Sequence, residues 1–171
     1  MEEWTLRPWQ PEDREALTAL VGRVDRTYLS SRLPAPFTDD CARTWLRQAA
    51  ERDGKRGVYR AILLDGRLAG SVSAEMQDFP EAARDANLSC FLAPEACGRG
   101  GGQLAVAAIT ELAFRQLPVV RLSAWICAEN RPSCRCAEKA GFTREALLRK
   151  ADAHGDRDRD LCIYGKLREE Q

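Results

Sequence analysis

Apolar positions in the first third of the chain alternate or recur in ways that predict one strand and two helices. The opening "WTLRPW" alternates and stops at Pro8, which predicts a short strand. Between Leu17 and Val24, apolar residues recur at i, i+3, i+4 and i+7, which places them on one face of a helix. Thr38 is the expected N-cap of a second helix, because acidic residues follow it at once and an apolar stripe continues toward Gly54.

The middle of the chain has the pattern of a β-hairpin followed by a third strand. Two β-rich runs, "GVYRAILL" and "RLAGSVSAEM", flank Asp65-Gly66, a dipeptide that tolerates the positive φ angles of a tight turn. The polar, proline-containing "QDFPEAARDA" predicts a loop. "NLSCFL" predicts a short strand that leads into a cluster of glycines.

The last third of the chain predicts a strand, a short helix and two closing strands. "VVRLSAWI" is the strand, and "RPSCRCAEKA" is a helix with Pro132 in its first turn and Gly141 at its C-terminal cap. "FTREALLRK" and "DRDLCIYGKL" are the closing strands, joined by the charged "ADAHGDRDR". The whole order favours an α+β fold, a mixed sheet with helices on its faces, built as one domain over residues 1–171.

Four of the five residues from Gly98 to Gly102 are glycines, directly before a long run of helix-forming residues. The first N–H groups of a helix are unpaired, and residues without a Cβ let an anion approach them closely. We therefore expect this turn to hold phosphate rather than to act as a flexible connection. It is not a P-loop, because Gln103 and Leu104 stand where Lys and Ser or Thr are needed, and G-x-G-x-x-G fails at Gln103.

Composition and charge narrow the classes of partner. The chain has 26 Lys and Arg and 26 Asp and Glu, so its net charge is zero, and we expect neither nucleic acid nor a membrane as partner. The acidic start is not a signal peptide, and no run approaches the ~20 apolar residues of a membrane span, which predicts a cytoplasmic protein. The seven cysteines lack metal-ligand spacing and are expected to be reduced thiols that pack as small apolar residues, with no bound metal.

The segment "CGRGGG", Cys97 to Gly102, resembles the acetyl-CoA loop of the GNAT N-acetyltransferase superfamily, whose consensus is Gln/Arg-x-x-Gly-x-Gly/Ala. Cys97 departs from that consensus at a position whose side chain is not needed to hold the pyrophosphate. Other segments resemble, in order, the RimJ/RimL-like branch of ribosomal-protein N-terminal acetyltransferases. They are "LRPWQPEDREAL", "SRLPAPFTDDCARTWL", "NRPSCRCAEKAGFTREALLRK" and "DLCIYGKLREE", and they extend the resemblance from about Leu6 to Glu170.

The resemblance implies a GNAT fold, with a mostly antiparallel sheet of about six to seven strands flanked by helices. It also implies acetyl-CoA as co-substrate and a reaction in which a neutral amine attacks the acetyl thioester directly in a ternary complex. The residues that it assigns to the co-substrate lie on the glycine turn, the strand before it and the short helix after the next strand. They are Phe91, Leu92, Gly98, Arg99, Gly100, Gly101, Gly102, Gln103, Asn130 and Lys139.

The resemblance implies that Ser133, the serine of Asn-x-x-Ser, is the general acid that protonates the leaving thiolate. The alternative is that Ser133 merely lies in the first turn or cap of the short helix, where serine is favoured in any case. For Asn130 the alternative is capping of the same helix, a role that is compatible with binding the co-substrate. Many GNAT enzymes use a tyrosine for this step, but the tyrosines here are distant from the short helix in sequence: Tyr28, Tyr59 and Tyr164.

The general base stays unassigned from the sequence. Many members of the superfamily place a glutamate on the strand before the loop, and Asn87 is the residue available there. Three nearby acids are expected to be solvated loop or edge charges: Glu75, Asp85 and Glu95. His154, the only histidine, is expected on the surface.

The acceptor is a peptide N-terminus, a polyamine or an antibiotic-like amine, since the branch contains enzymes for each. It is expected near "YLSSRLPAPF" and "EMQDFPEAARDA", where Glu75, Asp78, Glu81 and Asp85 could attract a cation. The resemblance also allows a homodimer. An alternative from another class is a non-catalytic acyl-CoA-binding sensor on the same fold, because a fold does not fix a function.

Overall fold

The order of helices and strands is the predicted one in the computed structural model, which describes residues 1–29, 33–78 and 84–170. The elements are β1 (Trp4–Pro8), α1 (Arg14–Arg23), α2 (Asp39–Arg52), β2 (Gly57–Leu64), β3 (Arg67–Met76), β4 (Asp85–Leu92), α3 (Gly101–Gln116), β5 (Arg121–Cys127), α4 (Arg131–Lys139), β6 (Thr143–His154) and β7 (Arg157–Leu167).

All seven strands form one sheet, in the order β1-β2-β3-β4-β5-β7-β6. Every neighbouring pair is antiparallel except β4 and β5. The β2–β3 turn has positive φ at both Asp65 (49°) and Gly66 (77°), as the hairpin prediction required. The predicted mixed, mostly antiparallel sheet flanked by helices is confirmed.

The parallel pair β4–β5 separates after a short contact. Pairing runs only from Asp85–Arg121 to Asn87–Ser123, although β4 continues to Leu92 and β5 to Cys127. Beyond Asn87, the edge of β4 that faces β5 pairs with no strand in the described part of the chain. We call this opening between residues 88–92 and residues 124–127 the splay.

The two faces of the sheet are covered by different helices. One face packs on α3 and α4, where Ile109, Phe114 and Ala137 join the main core, with Leu88 and Leu92 of β4 beside it. The other face packs on α1 and α2 and receives Phe91. Because side chains alternate along a strand, the odd-numbered residues of β4 from Asp85 to Phe91 share the α1–α2 face.

Two boundaries differ from the sequence predictions. Asp85 and Ala86 belong to β4 rather than to the preceding loop. The charged "ADAHGDRDR" is mostly strand, because β6 reaches His154 and β7 starts at Arg157. Almost all of β6 is exposed at the edge of the sheet, so it lacks the apolar alternation that identifies a half-buried strand.

The structure confirms the predicted N-cap of α2, but it does not confirm that all the cysteines are packed. Thr38 is the N-cap of α2 and accepts a hydrogen bond from the backbone N–H of Cys41 at 3.3 Å. All seven cysteines are free, but Cys90 and Cys97 are exposed rather than packed. Glu81 lies outside the described residues. In the part of the chain that the structure describes, no helix has the length and apolar character that crossing a membrane requires.

Candidate functional site

The glycines before α3 have separate structural tasks. Gly98 and Gly100 have φ of 74° and 86°, in the left-handed region where a Cβ is costly. A Cβ on Gly101 would overlap the ring of Trp4, so this glycine lets α3 pack closely on β1. Gly102 differs, because its nearest neighbour would be Leu92 Cδ1 at 3.6 Å, an ordinary contact. The turn therefore determines where α3 begins, and the absence of a side chain on Gly102 leaves the backbone there uncovered.

The N-terminus of α3 has the features of an anion site. Its N-cap, Gly100, has no side chain to offer, and the first turn contains no acidic residue. The first backbone N–H of α3 paired within the helix is that of Leu104, which donates to the Gly100 carbonyl at 3.2 Å. The N–H groups of Gly101, Gly102 and Gln103 thus lack intrahelical partners, at the positive end of a 16-residue helix.

Arg99 lies on the same turn but is held by other groups. Its guanidinium forms an ion pair with Glu2 and donates to the Glu95 carbonyl at 3.2 Å. The hydrogen bonds that Arg99 donates to the Glu2 carboxylate raise the pKa of Arg99. Arg99 therefore ties the glycine turn to the start of the chain, and a phosphate would compete with Glu2 for it.

The strand residues assigned from the sequence lie next to this helix start. The Leu92 side chain points toward Gly102, and Phe91 packs on the opposite face beside Leu17 and Val21. Both belong to the part of β4 that borders the splay. The structure thus brings the glycine turn and the open strand edge together.

Asn130 and Ser133 lie at the start of α4, directly after β5. Asn130 is the N-cap, because its Oδ1 accepts from the Ser133 backbone N–H at 3.4 Å and its carbonyl accepts from Cys134 N at 3.1 Å. The Ser133 hydroxyl is partly exposed and bonds to none of the described residues. Asn130 is thus the residue that caps α4, and Ser133 lies in the first turn with a hydroxyl that no described residue engages.

The structure places Lys139 away from the glycine turn. It is exposed at the C-terminal end of α4 and lines a cavity with Phe114, Arg115 and Arg168. Arg115 is thirteen residues beyond Gly102, which is about 20 Å along the axis of α3. Only the sequence motif supports a role for Lys139 with the co-substrate.

Tyr164 contacts α4 in space, although it is distant in sequence. It is buried, and its hydroxyl donates to Glu138 Oε1 at 2.9 Å. Burial raises its pKa well above the ordinary value. The phenol is therefore committed to Glu138 and does not replace Ser133 as a donor at the helix start.

Sequence reasoning missed a polar network beside the splay that is centred on Asp85. Ser123 Oγ donates to Asp85 Oδ2 at 3.0 Å, and Asn87 Nδ2 donates to Ser123 Oγ at 3.3 Å. Arg121 Nε is 3.6 Å from Asp85 Oδ2, but this arginine makes its two short bonds to Glu145, at 2.6 and 2.7 Å. Asp85 Oδ1 is buried without a partner among the described residues.

Burial is the main cause that raises the pKa of Asp85, and the Ser123 and Arg121 contacts oppose it. We therefore expect Asp85→Asn to melt at a higher temperature than wild type at pH 7. A carboxyl with a raised folded pKa stabilises the fold while it is protonated, and this contribution is lost as the pH rises through the folded pKa. The gain should disappear below about pH 4, where the unfolded carboxyl is also protonated.

Asp13→Asn is the matched control, because hydrogen bonds from Arg7 lower the pKa of the Asp13 carboxyl. That stabilisation exists above the unfolded pKa and is lost as the pH falls through the folded pKa, so this variant should melt lower than wild type at pH 7. Calorimetric melts at both pH values measure the two changes. A lower melting temperature for Asp85→Asn at pH 7 would contradict the assigned cost of the buried carboxylate.

Comparison with known proteins gives a consistent result. Residues 4–143 match the family model of an acetyltransferase (GNAT) domain. An uncharacterized, SPbeta prophage-derived N-acetyltransferase of Bacillus subtilis, YokL, is 26% identical over 169 residues, which cover 99% of this chain and 92% of the relative.

Two solved structures have the same fold. A ribosomal-protein-alanine N-acetyltransferase from Brucella melitensis is 24% identical, with a TM-score of 0.81, and the match covers 95% of this chain and 99% of the other. RimL, a ribosomal alpha-N-protein acetyltransferase solved in complex with coenzyme A, is 18% identical, with a TM-score of 0.82 and coverage of 96% and 93%. At these identities the structures show a shared fold.

Proposed function

This chain belongs to the GNAT acetyltransferase family, and from that premise we propose that it transfers the acetyl group of acetyl-CoA to a primary amine by direct attack in a ternary complex. The acceptor is a protein or peptide N-terminus or a small-molecule amine. The observation that carries the proposal is the open N-terminus of α3 beside the splay. A phosphate site and an unpaired strand edge meet there.

The residues fit acetyl-CoA. The free N–H groups of Gly101, Gly102 and Gln103 would hold the pyrophosphate, and the α3 dipole supports the same charge. The unpaired backbone of residues 88–92 would bond the pantetheine arm, together with the amide of Asn130. When bound, acetyl-CoA supplies the activated acetyl thioester. As the C–N bond forms and the C–S bond breaks, Ser133 would donate its proton to the leaving sulfur and be reprotonated from solvent, which also takes the proton that the amine loses.

The test is turnover with a panel of amines. Purified protein is mixed with acetyl-CoA and a peptide with a free N-terminus, a polyamine or an aminoglycoside-like amine, and free thiol is followed beside mass spectrometry of the amine. We expect at least one amine to gain an acetyl group as thiol is released. Tight acetyl-CoA binding without any acetylated amine would instead support the sensor alternative.

We also expect direct transfer without an acetylated cysteine on the enzyme. The exposed thiols of Cys90 and Cys97 make the alternative testable, because both flank the glycine turn or the splay. Although Cys97 is exposed as a residue, partial desolvation of its sulfur, with the nearby charges of Asp25 and Glu95, raises the pKa of its thiol, so the thiolate fraction at pH 7 is small. Intact-mass spectra taken during turnover should show unmodified protein. An acetyl-enzyme that passes its acetyl group to an added amine would overturn direct transfer.

A further inference from the structure

Asn87 is the last residue of β4 that pairs with β5, so it lies where the splay begins. It shares the α1–α2 face of the sheet with Glu75, directly opposite on β3, and with Ser123, directly opposite on β5. Ser133 and the start of α3 belong to elements on the other face. A thioester in the splay would thus meet its proton donor from the α4 side and the acceptor amine from the side of Asn87.

The hydrogen-bond network determines how the Asn87 amide is oriented. Ser123 is fully buried, and its single hydroxyl proton goes to Asp85, since an ionised carboxylate only accepts. Ser123 Oγ can therefore only accept from Asn87, which turns Nδ2 toward it. Asn87 Oδ1 then lies on the other side of the amide, and none of the described residues donates to it.

Asp85 polarises this series of hydrogen bonds without contacting the acceptor amine itself. One of its oxygens is buried and the other is engaged by Ser123. Its carboxylate is only partly neutralised, because Arg121 makes its short bonds to Glu145. A chain of hydrogen bonds that ends on such a charge strengthens each member, so the free oxygen of Asn87 becomes a better acceptor.

Resting on the function proposed above, we propose that Asn87 receives the acceptor's amino group through Oδ1, with Ser123 and Asp85 as positioning residues, and that the preferred acceptors are weakly basic amines of the α-amine class. An amide oxygen accepts a hydrogen bond but does not take up the proton of an ammonium. The enzyme therefore acts on the fraction of amine that is already neutral. At pH 7 that fraction is roughly 300-fold larger for an α-amine than for a lysine side chain.

Other titratable groups face this position from the neighbouring strands and helix. Glu75 of β3 is paired with Arg52 of α2, and burial raises the pKa of the Tyr59 phenol on β2. On β5 and β6, Arg121 and Glu145 pair across Gly165. Among the described residues, Glu75 is thus the carboxylate opposite Asn87 that would compete as a direct base, and Glu75→Gln distinguishes a carboxylate base from the Asn87 amide.

The experiment compares two peptides of one sequence, one with a free α-amine and no lysine, the other with a blocked N-terminus and one lysine. We expect kcat/KM to favour the α-amine peptide by about 100-fold or more at pH 7, and to rise about tenfold per pH unit up to each amine's own pKa. Equal kcat/KM for the two peptides would overturn the inference and leave the proposed function intact. The same holds if the pH profiles of both peptides bend at one shared pH and Glu75→Gln removes that bend. Acetyl-CoA binding with no turnover of either peptide, or of any amine in the panel, would overturn both.

Variants test the positioning chain separately. Asn87→Ala and Ser123→Ala should each lower kcat/KM for the α-amine peptide about tenfold, and Asp85→Asn several-fold, with acetyl-CoA affinity unchanged by calorimetry. Thr110→Val removes a buried hydroxyl of α3 far from the splay and should keep full activity. The readout that a purely structural role would not give is Asp85→Asn with lower activity and a higher melting temperature. Full activity in Ser123→Ala would overturn the proposal that Ser123 and Asp85 position Asn87.

Discussion

Gly102→Asp is expected to reduce acetyl-CoA affinity by at least about 100-fold while leaving the protein folded. The new carboxylate would lie in the first turn of α3 and accept hydrogen bonds from the N–H groups that the pyrophosphate needs. Its negative charge would also repel the pyrophosphate. The fold should persist, because a Cβ here meets only Leu92 at 3.6 Å and an acid in a first helical turn is favourable by about 0.3–1 kcal/mol. Titration calorimetry with acetyl-CoA and a thermal melt measure both effects.

Gly102→Ala is the matched control for the added Cβ. It places a Cβ in the same space without charge, and the family consensus accepts alanine at this position. It should bind acetyl-CoA within a few-fold of wild type and melt slightly higher, since alanine favours a helix over glycine by about 1 kcal/mol. Unchanged affinity in Gly102→Asp, or equal losses in both variants, would refute pyrophosphate binding at the start of α3.

Ser133→Ala is expected to lower kcat about 10²–10⁴-fold, the usual contribution of a positioned proton donor, with little change in the KM for acetyl-CoA. The melting temperature should stay close to that of wild type, because the Ser133 hydroxyl bonds to no described residue and Asn130 provides the cap. Steady-state kinetics and a melt of the same variant are the measurements.

Thr38→Ala is the control for loss of a true cap. Thr38 caps α2 through its own hydroxyl, so this variant should lose about 1 kcal/mol of stability and keep its kcat. A near-wild-type kcat in Ser133→Ala would rule out the general-acid role. A large drop in its melting temperature would show that the hydroxyl has a structural partner in the folded protein.

The order of elements was predictable because local signals agreed along the chain. Asp65-Gly66 fixed one hairpin, and Thr38 fixed the start of α2. The failures were segments whose state depends on distant partners. Asp85 stands after a polar, proline-containing stretch and becomes strand only through pairing with β3 and β5. Most of "ADAHGDRDR" is strand although its residues are exposed, apart from Asp152 and the buried Arg159.

The site was predictable as a motif but not as an arrangement of groups. The sequence indicated a phosphate-binding turn, but only φ angles and packing distinguish Gly98 and Gly100 from Gly101 and Gly102. Capping by Asn130 was foreseen from the sequence, but only the coordinates show that the Ser133 hydroxyl has no partner among the described residues. The network of Asp85, Ser123 and Asn87 spans two strands that are far apart in sequence, and no local pattern links them.

The central claim is that this chain moves acetyl groups from acetyl-CoA to an amine without an enzyme-bound intermediate. The most direct test quantifies free thiol, acetylated amine and intact enzyme mass in one reaction with the α-amine peptide. The account predicts equal amounts of thiol and acetylated α-amine over many turnovers, with the mass of the enzyme unchanged. Bound acetyl-CoA that never yields an acetylated amine, whichever amine is supplied, would contradict it.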